Sequence, residues 1–346
     1  MSLQISLALA FIILLLEKEI ENYMNFQNSI LYGIKTKKEL AKLLDINKKL
    51  LNDVNYHFST KPFEANINGK KRMLYNPNDI HKEILKKLIE LLSPIKAKEY
   101  VFGGIKNRSY IMNATLHKDS TFFCLIDIKD FFPSTKEKFV YNFFYNNLKM
   151  SSDVAKVCTL LTTEYDIQQR NRHLPQGYPS SPYLSYLCYF KLFEELNAIS
   201  ISKNLIFSCY YDDFTFSSKQ SISIKTKREI MKCIKKYNLT VNTDKTKLVK
   251  NKNGIKITGV VIRNNDVIPP NKNLHKLYIG FKELKIKFEN DFFEKDEVLK
   301  LCEKVKGLYE AVQKIKFNND LTYMVSYIKD IKIFYEKNKS IKNKSD

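Results

Sequence analysis

No C-x-x-C pair occurs among the six cysteines of this 346-residue chain, and only five histidines accompany them. Cys124, Cys158, Cys188, Cys209, Cys233 and Cys302 are scattered, so neither a disulfide framework nor a zinc site is signalled. A reducing cytoplasm is the expected compartment. Acidic residues are also in short supply, with 37 Asp and Glu facing 58 Lys and Arg for a formal charge of +21. The apolar run at residues 3–16 falls short of the roughly twenty residues that span a bilayer, and it lacks a basic leader. A membrane anchor is disfavoured. Two readings of residues 1–23 remain: a buried helix continuing into the charged stretch Glu17-Lys18-Glu19, or a segment ahead of a natural start at Met24. No internal repeat is visible.

What is present is enough apolar content, 44%, to bury a sizeable core, which excludes a chain disordered throughout. The basic residues run through the whole sequence, and such a field attracts a polyanion. An AT-rich genome that encodes lysine freely is the competing explanation for the charge. Leucines at helical spacing predict a helix over 36–51, and another apolar periodicity predicts one over 84–92. Between them, Asn68-Gly69 is a strong hairpin-turn signal, with Lys70 to Tyr75 as the returning strand. An apolar strand over 121–128 ends in an aspartate, 182–196 reads as a helix, and 205–217 reads as two short strands around Asp212-Asp213. The middle is therefore mixed α and β. Beyond Asn271 the pattern is helical and lysine-rich, over 274–288, 298–312 and 321–335, ending in a polar tail at 339–346 expected to be disordered.

Joining a nucleotide to a growing strand is an in-line phosphoryl transfer whose developing charge is handled well by two divalent cations. Magnesium prefers oxygen ligands, chiefly carboxylates. A fold can supply them from one strand end and the tight turn of a neighbouring hairpin. Phe122-Phe123-Cys124-Leu125-Ile126-Asp127 provides the first, and Ser208-Cys209-Tyr210-Tyr211-Asp212-Asp213-Phe214 the second. Two adjacent acids between apolar strands repel each other unless a cation joins them, although an Asp-Asp pair alone is more often a solvated loop.

The surrounding pattern is more specific. Asp127-Ile128-Lys129-Asp130-Phe131-Phe132-Pro133-Ser134, then Leu174-Pro175-Gln176-Gly177-Tyr178-Pro179-Ser180-Ser181-Pro182, then Tyr210-Tyr211-Asp212-Asp213 resembles, in order and spacing, the three palm motifs of reverse transcriptases. The likeness continues through Asn242-Thr243-Asp244-Lys245-Thr246 and Ile257-Thr258-Gly259, and covers roughly residues 25 to 320. Asn113-Ala114-Thr115-Leu116-His117 is similar to the N-A-x-x-H element of the retron group. Tyr211 departs from the Y-A-D-D common in that group, and Ile257 replaces its V-T-G valine. A phage-defence-associated class is the sister reading.

That resemblance implies an α+β, right-hand polymerase architecture. Fingers and N-terminal helices would occupy 24–120, a palm of antiparallel sheet and helices 121–265, and a helical thumb 266–338. Asp127, Asp212 and Asp213 are expected to hold two magnesium ions (Mg2+), with the Ile128 carbonyl also facing the metal. Lys245 matches the lysine thought to protonate pyrophosphate; a surface lysine is its other reading. Asp130 is read as a capping or salt-bridging residue. Phe132 is expected to close over the sugar and exclude a 2′-hydroxyl, making the product DNA, unless it is simply a core aromatic. Gln176 and Gly177 would approach the incoming nucleotide (a dNTP), and Arg72 with Lys71 would meet its triphosphate, although such pairs are usually just solvated. Asn113 and His117 would contact RNA or make structural hydrogen bonds. Tyr211 would lie beside the primer end and Thr258-Gly259 would form the turn that grips the primer strand, with the thumb tracking the RNA–DNA duplex.

The partners so implied are a structured noncoding RNA, serving as template and in one reading as primer, and an effector or toxin protein. Three functions follow: a retron enzyme making an RNA-linked single-stranded DNA in antiphage defence, a defence-associated reverse transcriptase using another RNA or protein priming, and a catalytically silent RNA-binding scaffold. No maturase, RNase H or endonuclease domain is expected in the remaining length, so template removal would fall to a host enzyme.

Overall fold

A computed structural model describes residues 24–342, apart from 68, 168, 290–293 and 316–319. The apolar segment at 1–23 and Asn68 of the predicted turn lie outside the described residues. The chain forms two compact units: Met1–Arg108, Cys124–Phe216 and Ile222–Leu248 make the first, and Ser109–Phe123, Ser217–Ser221 and Val249–Asp346 the second.

In the first unit, β1 (Pro62–Ile67) and β2 (Lys70–Tyr75) pair antiparallel with Ile67 opposite Lys70, so two residues make the turn. Gly69 sits there at φ +78°, a left-handed value that costs glycine nothing. The central sheet contains β3 (Phe122–Asp127), and a small hairpin follows as β4 (Glu164–Asp166) and β5 (Asn171–His173). The sheet is completed by β6 (Ile206–Tyr210), β7 (Asp213–Ser218) and β8 (Lys247–Lys250) in the order β6-β7-β3-β8. Its interior position explains why β3 is a continuous apolar run and not an alternating one.

Two helices differ from their sequence expectations. The helix read over 36–51 opens with a full capping box, Thr36 with Glu39, but spans only Lys37–Leu44. Asp45 adopts a left-handed conformation (φ 56°) that ends it, and a separate 3-10 turn covers Lys48–Leu51. The helix read over 182–196 is two, Ser181–Cys188 and Phe190–Ser202. The break falls at Tyr189, whose ring is buried against Phe131 and Phe139. The helix Asp79–Leu92 is capped by Asn78 and buries Ile84, Leu85 and Leu88 as expected.

The second unit holds β9 (Ile255–Ile257), β10 (Val260–Arg263) and β11 (Asp266–Ile268), in the order β11-β10-β9. Ile257 pairs with Val260, so Thr258 and Gly259 form a two-residue turn, both with positive φ (43° and 96°). That is the geometry that matches the twist of a hairpin. Helices Asn271–Glu289, Lys295–Gln313 and Thr322–Lys342 close a separate core around Leu277, Leu284, Val305 and Met324. The last helix runs to Lys342, past the start of the tail read as disordered at 339. Among the described residues no helix is long and apolar enough to cross a membrane.

Asn113 and His117 are corrected here as candidate RNA contacts, because both are fully buried. Asn113 Nδ2 donates to Thr258 Oγ1 (3.2 Å), and the Thr258 hydroxyl donates to the Tyr110 carbonyl (3.2 Å). The two sequence elements thus belong together because one clamps the turn of the other. His117 Nδ1 lies 2.6 Å from Ser217 Oγ, which lies 2.8 Å from Ser120 Oγ. Burial pushes the His117 pKa down from 6.5 to about 3. Between those values the unfolded chain binds a proton that the folded chain refuses, so folding stability falls as pH falls through that window. In denaturant titrations from pH 6 to pH 4, the parent should therefore lose stability more steeply than His117→Gln, by a difference on the order of 1 kcal/mol per pH unit. Equal slopes would contradict a neutral buried imidazole.

Candidate active site

The site is built where β3 ends. Asp127 is its last residue, and the next residue, Ile128, donates its backbone N–H to the Asp212 carbonyl (2.9 Å). The tip of the β6–β7 hairpin is thereby fixed to the strand that carries the first acid. On the other side Asn242 donates its N–H to the Asp127 carbonyl (2.8 Å), and Lys129 donates to the Thr240 carbonyl (2.8 Å). Those bonds fix the start of the turn that contains Lys245. The Lys245 Nζ lies 2.5 Å from Asp127 Oδ2.

Electrostatics at this point are dominated by crowding of like charge. Burial holds the Asp212 carboxyl above the usual range and the Asp127 charge adds to that, while Lys245 and Arg72 act in the opposite direction. The hydrogen bond to Asp127 raises the Lys245 pKa and keeps its ammonium charged. A cation already sits at the carboxylate, which is the donor chemistry a divalent ion would use. Asp127 and Asp212 fit such an ion. Asp213, the first residue of β7, is exposed, and among the described residues no group of three His, Cys, Asp or Glu side chains is gathered closely enough to hold a metal.

A cleft of about 640 Å3 opens over these residues. It is lined by Asp127, Ile128, Phe132, Tyr211, Asp212 and Lys245, and also by Lys71, Arg72 and Gln176. Of the adjacent aromatics, Phe131 is the buried one, and Phe132 is half-buried at the cleft, 6.1 Å from the Tyr211 ring. The core reading therefore belongs to Phe131. Lys71 is ion-paired with Glu64 across the hairpin (2.9 Å), whereas Arg72 is exposed and close enough to Asp212 to act on its carboxyl. Asp130 takes the N-cap position of the short helix Phe131–Ser134 in a left-handed conformation, with no side-chain cap bond. It caps through its backbone instead, its carbonyl accepting from Ser134 N–H (2.7 Å). Among the described residues it has no ion pair. Gly177 is required for packing: a Cβ there would meet the Tyr75 carbonyl oxygen at 2.2 Å, beside the bond from Tyr75 N–H to the Gln176 carbonyl (2.8 Å). Thr258 and Gly259 belong to the second unit.

Sequence reasoning missed Gly103 and Gly104. Segment 100–102 runs beside β6, bonded through Phe102 N–H to the Cys209 carbonyl and Cys209 N–H to the Tyr100 carbonyl. A Cβ on Gly103 would meet Tyr211 N at 2.5 Å, so this glycine admits the hairpin tip, where Tyr211 is itself left-handed (φ 58°). Adjacent glycines in a chain with only nine were the available signal. Asp166, Gln169 and His173 on β4–β5 also line the cleft, and no motif marked them.

Residues 59–262 match the family described as reverse transcriptase (RNA-dependent DNA polymerase). The Retron Se72 reverse transcriptase of Salmonella heidelberg (strain 579083-10) is 29% identical over 255 residues, covering 70% of this chain and 65% of that protein. The Retron Ec86 reverse transcriptase of Escherichia coli is 27% identical over 277 residues, covering 78% and 79%. This chain thus spans just under two thirds of the length of the first relative. Among solved structures, the foamy viral protease-reverse transcriptase in complex with double-stranded DNA aligns over 79% of this chain and 43% of that one, at 16% identity and a TM-score of 0.40.

Two stability measurements check this geometry. Asp212→Asn removes a crowded, partly desolvated charge, so the metal-free protein should melt roughly 1–3 °C higher; a lower melting point would contradict the repulsion. Gly103→Ala forces a carbon against backbone and should lower stability by about 2 kcal/mol or more. Parental stability would mean that the hairpin tip is not seated as described.

Proposed function

The chain belongs to the reverse transcriptase (RNA-dependent DNA polymerase) family, and we propose that it copies a bound structured noncoding RNA into DNA at the Asp127–Asp212 site. The observation that carries this reading is the bond from Ile128 N–H to the Asp212 carbonyl, which brings acids 85 positions apart in the sequence to one point in a nucleotide-sized cleft. Retron reverse transcriptases among the relatives support a retron enzyme working in the cytoplasm. Its product would be single-stranded DNA joined to its RNA, in antiphage defence, alongside an effector protein.

In this proposal Asp127, Asp212 and Asp213 hold Mg2+, with Ile128 beside them. Asp213 completes the set when nucleotide and primer enter. When bound, magnesium supplies the positive charge that offsets the negative charge developing on the reacting phosphate and its neighbouring oxygens. Arg72 meets the triphosphate with its planar fork, which suits phosphate better than the paired Lys71. Lys245 sets a further cation at Asp127 and is placed to give a proton to pyrophosphate. Gln176 presents its amide to the nucleotide. Phe132 and Tyr211 wall the sugar side, so a 2′-hydroxyl is excluded by volume. Thr258 and Gly259 present a rigid turn to the primer strand, and the three C-terminal helices bear on the duplex through lysine–phosphate contacts.

Primer extension on an RNA template tests the polymerase reading. Asp212→Asn with Asp213→Asn should lower extension by roughly a thousandfold or more while the protein stays folded. Extension at the parental rate would refute the site, and inactivity of the parent on every primer would favour the silent scaffold. Sequencing of copurifying nucleic acid should return a branched RNA–DNA hybrid; long unbranched DNA would contradict the retron reading. Phe132→Ala should raise ribonucleotide incorporation on the order of tenfold or more. Unchanged rejection would remove Phe132 from its role.

A further inference from the structure

The wall of the cleft opposite the acids is the β4–β5 hairpin, and one ring on it is left incomplete. His173 is buried yet lines the cleft. Its Nδ1 lies 2.9 Å from the Leu174 carbonyl oxygen, and a carbonyl can only accept, so Nδ1 carries the proton. Nε2 of the neutral ring is then an acceptor. It is buried without a hydrogen-bond partner and lies 3.5 Å from Asp166 Oδ2, a second acceptor. Two acceptors side by side repel unless a donor comes between them.

The protein's own donors nearby are used elsewhere. Lys136 Nζ donates to Gln169 Oε1 (2.7 Å) and Asn171 Oδ1 (3.0 Å). Gln169 N–H is given to Asp166 Oδ1 (3.0 Å), which pins that carboxylate and leaves Oδ2 toward the ring. The wall is rigid: Glu164 at its base is buried and accepts from the Tyr178 hydroxyl and from Thr60 N–H (3.0 Å), and the Tyr75 ring meets the imidazole edge-on at 6.2 Å. Such a pair is a fixed recognition feature and not a solvated ion pair.

We propose that His173 Nε2 and Asp166 Oδ2 form a subsite that takes a neutral hydrogen-bond donor of the nucleic acid in the cleft, and that it contributes to choosing what is copied. The inference rests on the polymerase reading above. The donor is an N–H or O–H group, supplied either by a base amino group of the incoming nucleotide or by a ribose 2′-hydroxyl of the template, the group by which a protein can tell RNA from DNA.

Asp166→Asn tests it, because the asparagine can keep its oxygen on Gln169 N–H and turn its amide toward Nε2, filling the subsite from within. His173→Phe removes the acceptor but keeps a ring against Tyr75. Single-nucleotide addition is measured with each of the four deoxynucleotides on RNA and DNA templates of the same sequence. A three- to tenfold rise in KM for dATP, dCTP and dGTP relative to dTTP, which lacks an amino group, assigns the base amine. A three- to tenfold loss of preference for the RNA template assigns the 2′-hydroxyl. A uniform change across nucleotides and templates, or none, overturns the subsite. So does a ring nitrogen NMR spectrum at neutral pH in which both nitrogens of His173 are protonated. A parent that extends neither template refutes the polymerase reading, whereas a parent that extends both beside unchanged variants sinks only this inference.

Discussion

A single backbone hydrogen bond, from Ile128 N–H to the Asp212 carbonyl, organises the site, because it joins the end of a buried strand to the tip of a hairpin. Everything around it keeps that junction rigid. β3 is interior to its sheet, the 240–242 segment bonds to its far side, and Gly103 leaves room for the left-handed Tyr211 that makes the turn possible. Precision of this kind comes from strands and their turns more readily than from free loops.

The same junction is electrostatically unfavourable in the free protein. Asp127 and Asp212 share a partly desolvated space, and Lys245 and Arg72 relieve only part of the cost. Sites that hold strain in the free state and release it on binding are the usual price of function. The acids are therefore poised for a cation and for phosphate, which is the chemistry that the family's reaction demands.

Much of this was legible in the sequence. The apolar run closing on Asp127, the Tyr-Tyr-Asp-Asp turn between two strands and the Asn-Gly hairpin each carry a local signal that survives folding. Helix ends were less legible: Asp45 stops a helix that leucine spacing would continue, and Tyr189 divides another because its ring is needed in the core. Asn113 and His117 looked like surface recognition because polar residues in a motif invite that reading; their partners, Thr258 and Ser217, lie 145 and 100 residues away, a pairing no local pattern reports. Gly103 and the His173–Asp166 pair were missed for the same reason, since their meaning depends on what a distant segment brings against them.

The most direct test of the account is single-nucleotide addition to a primer on an RNA template by Asp127→Asn, with melting followed on the same sample. The convergence of Asp127 with the hairpin tip predicts that addition is lost while the folded transition remains. Addition at the parental rate by a folded Asp127→Asn protein would contradict it.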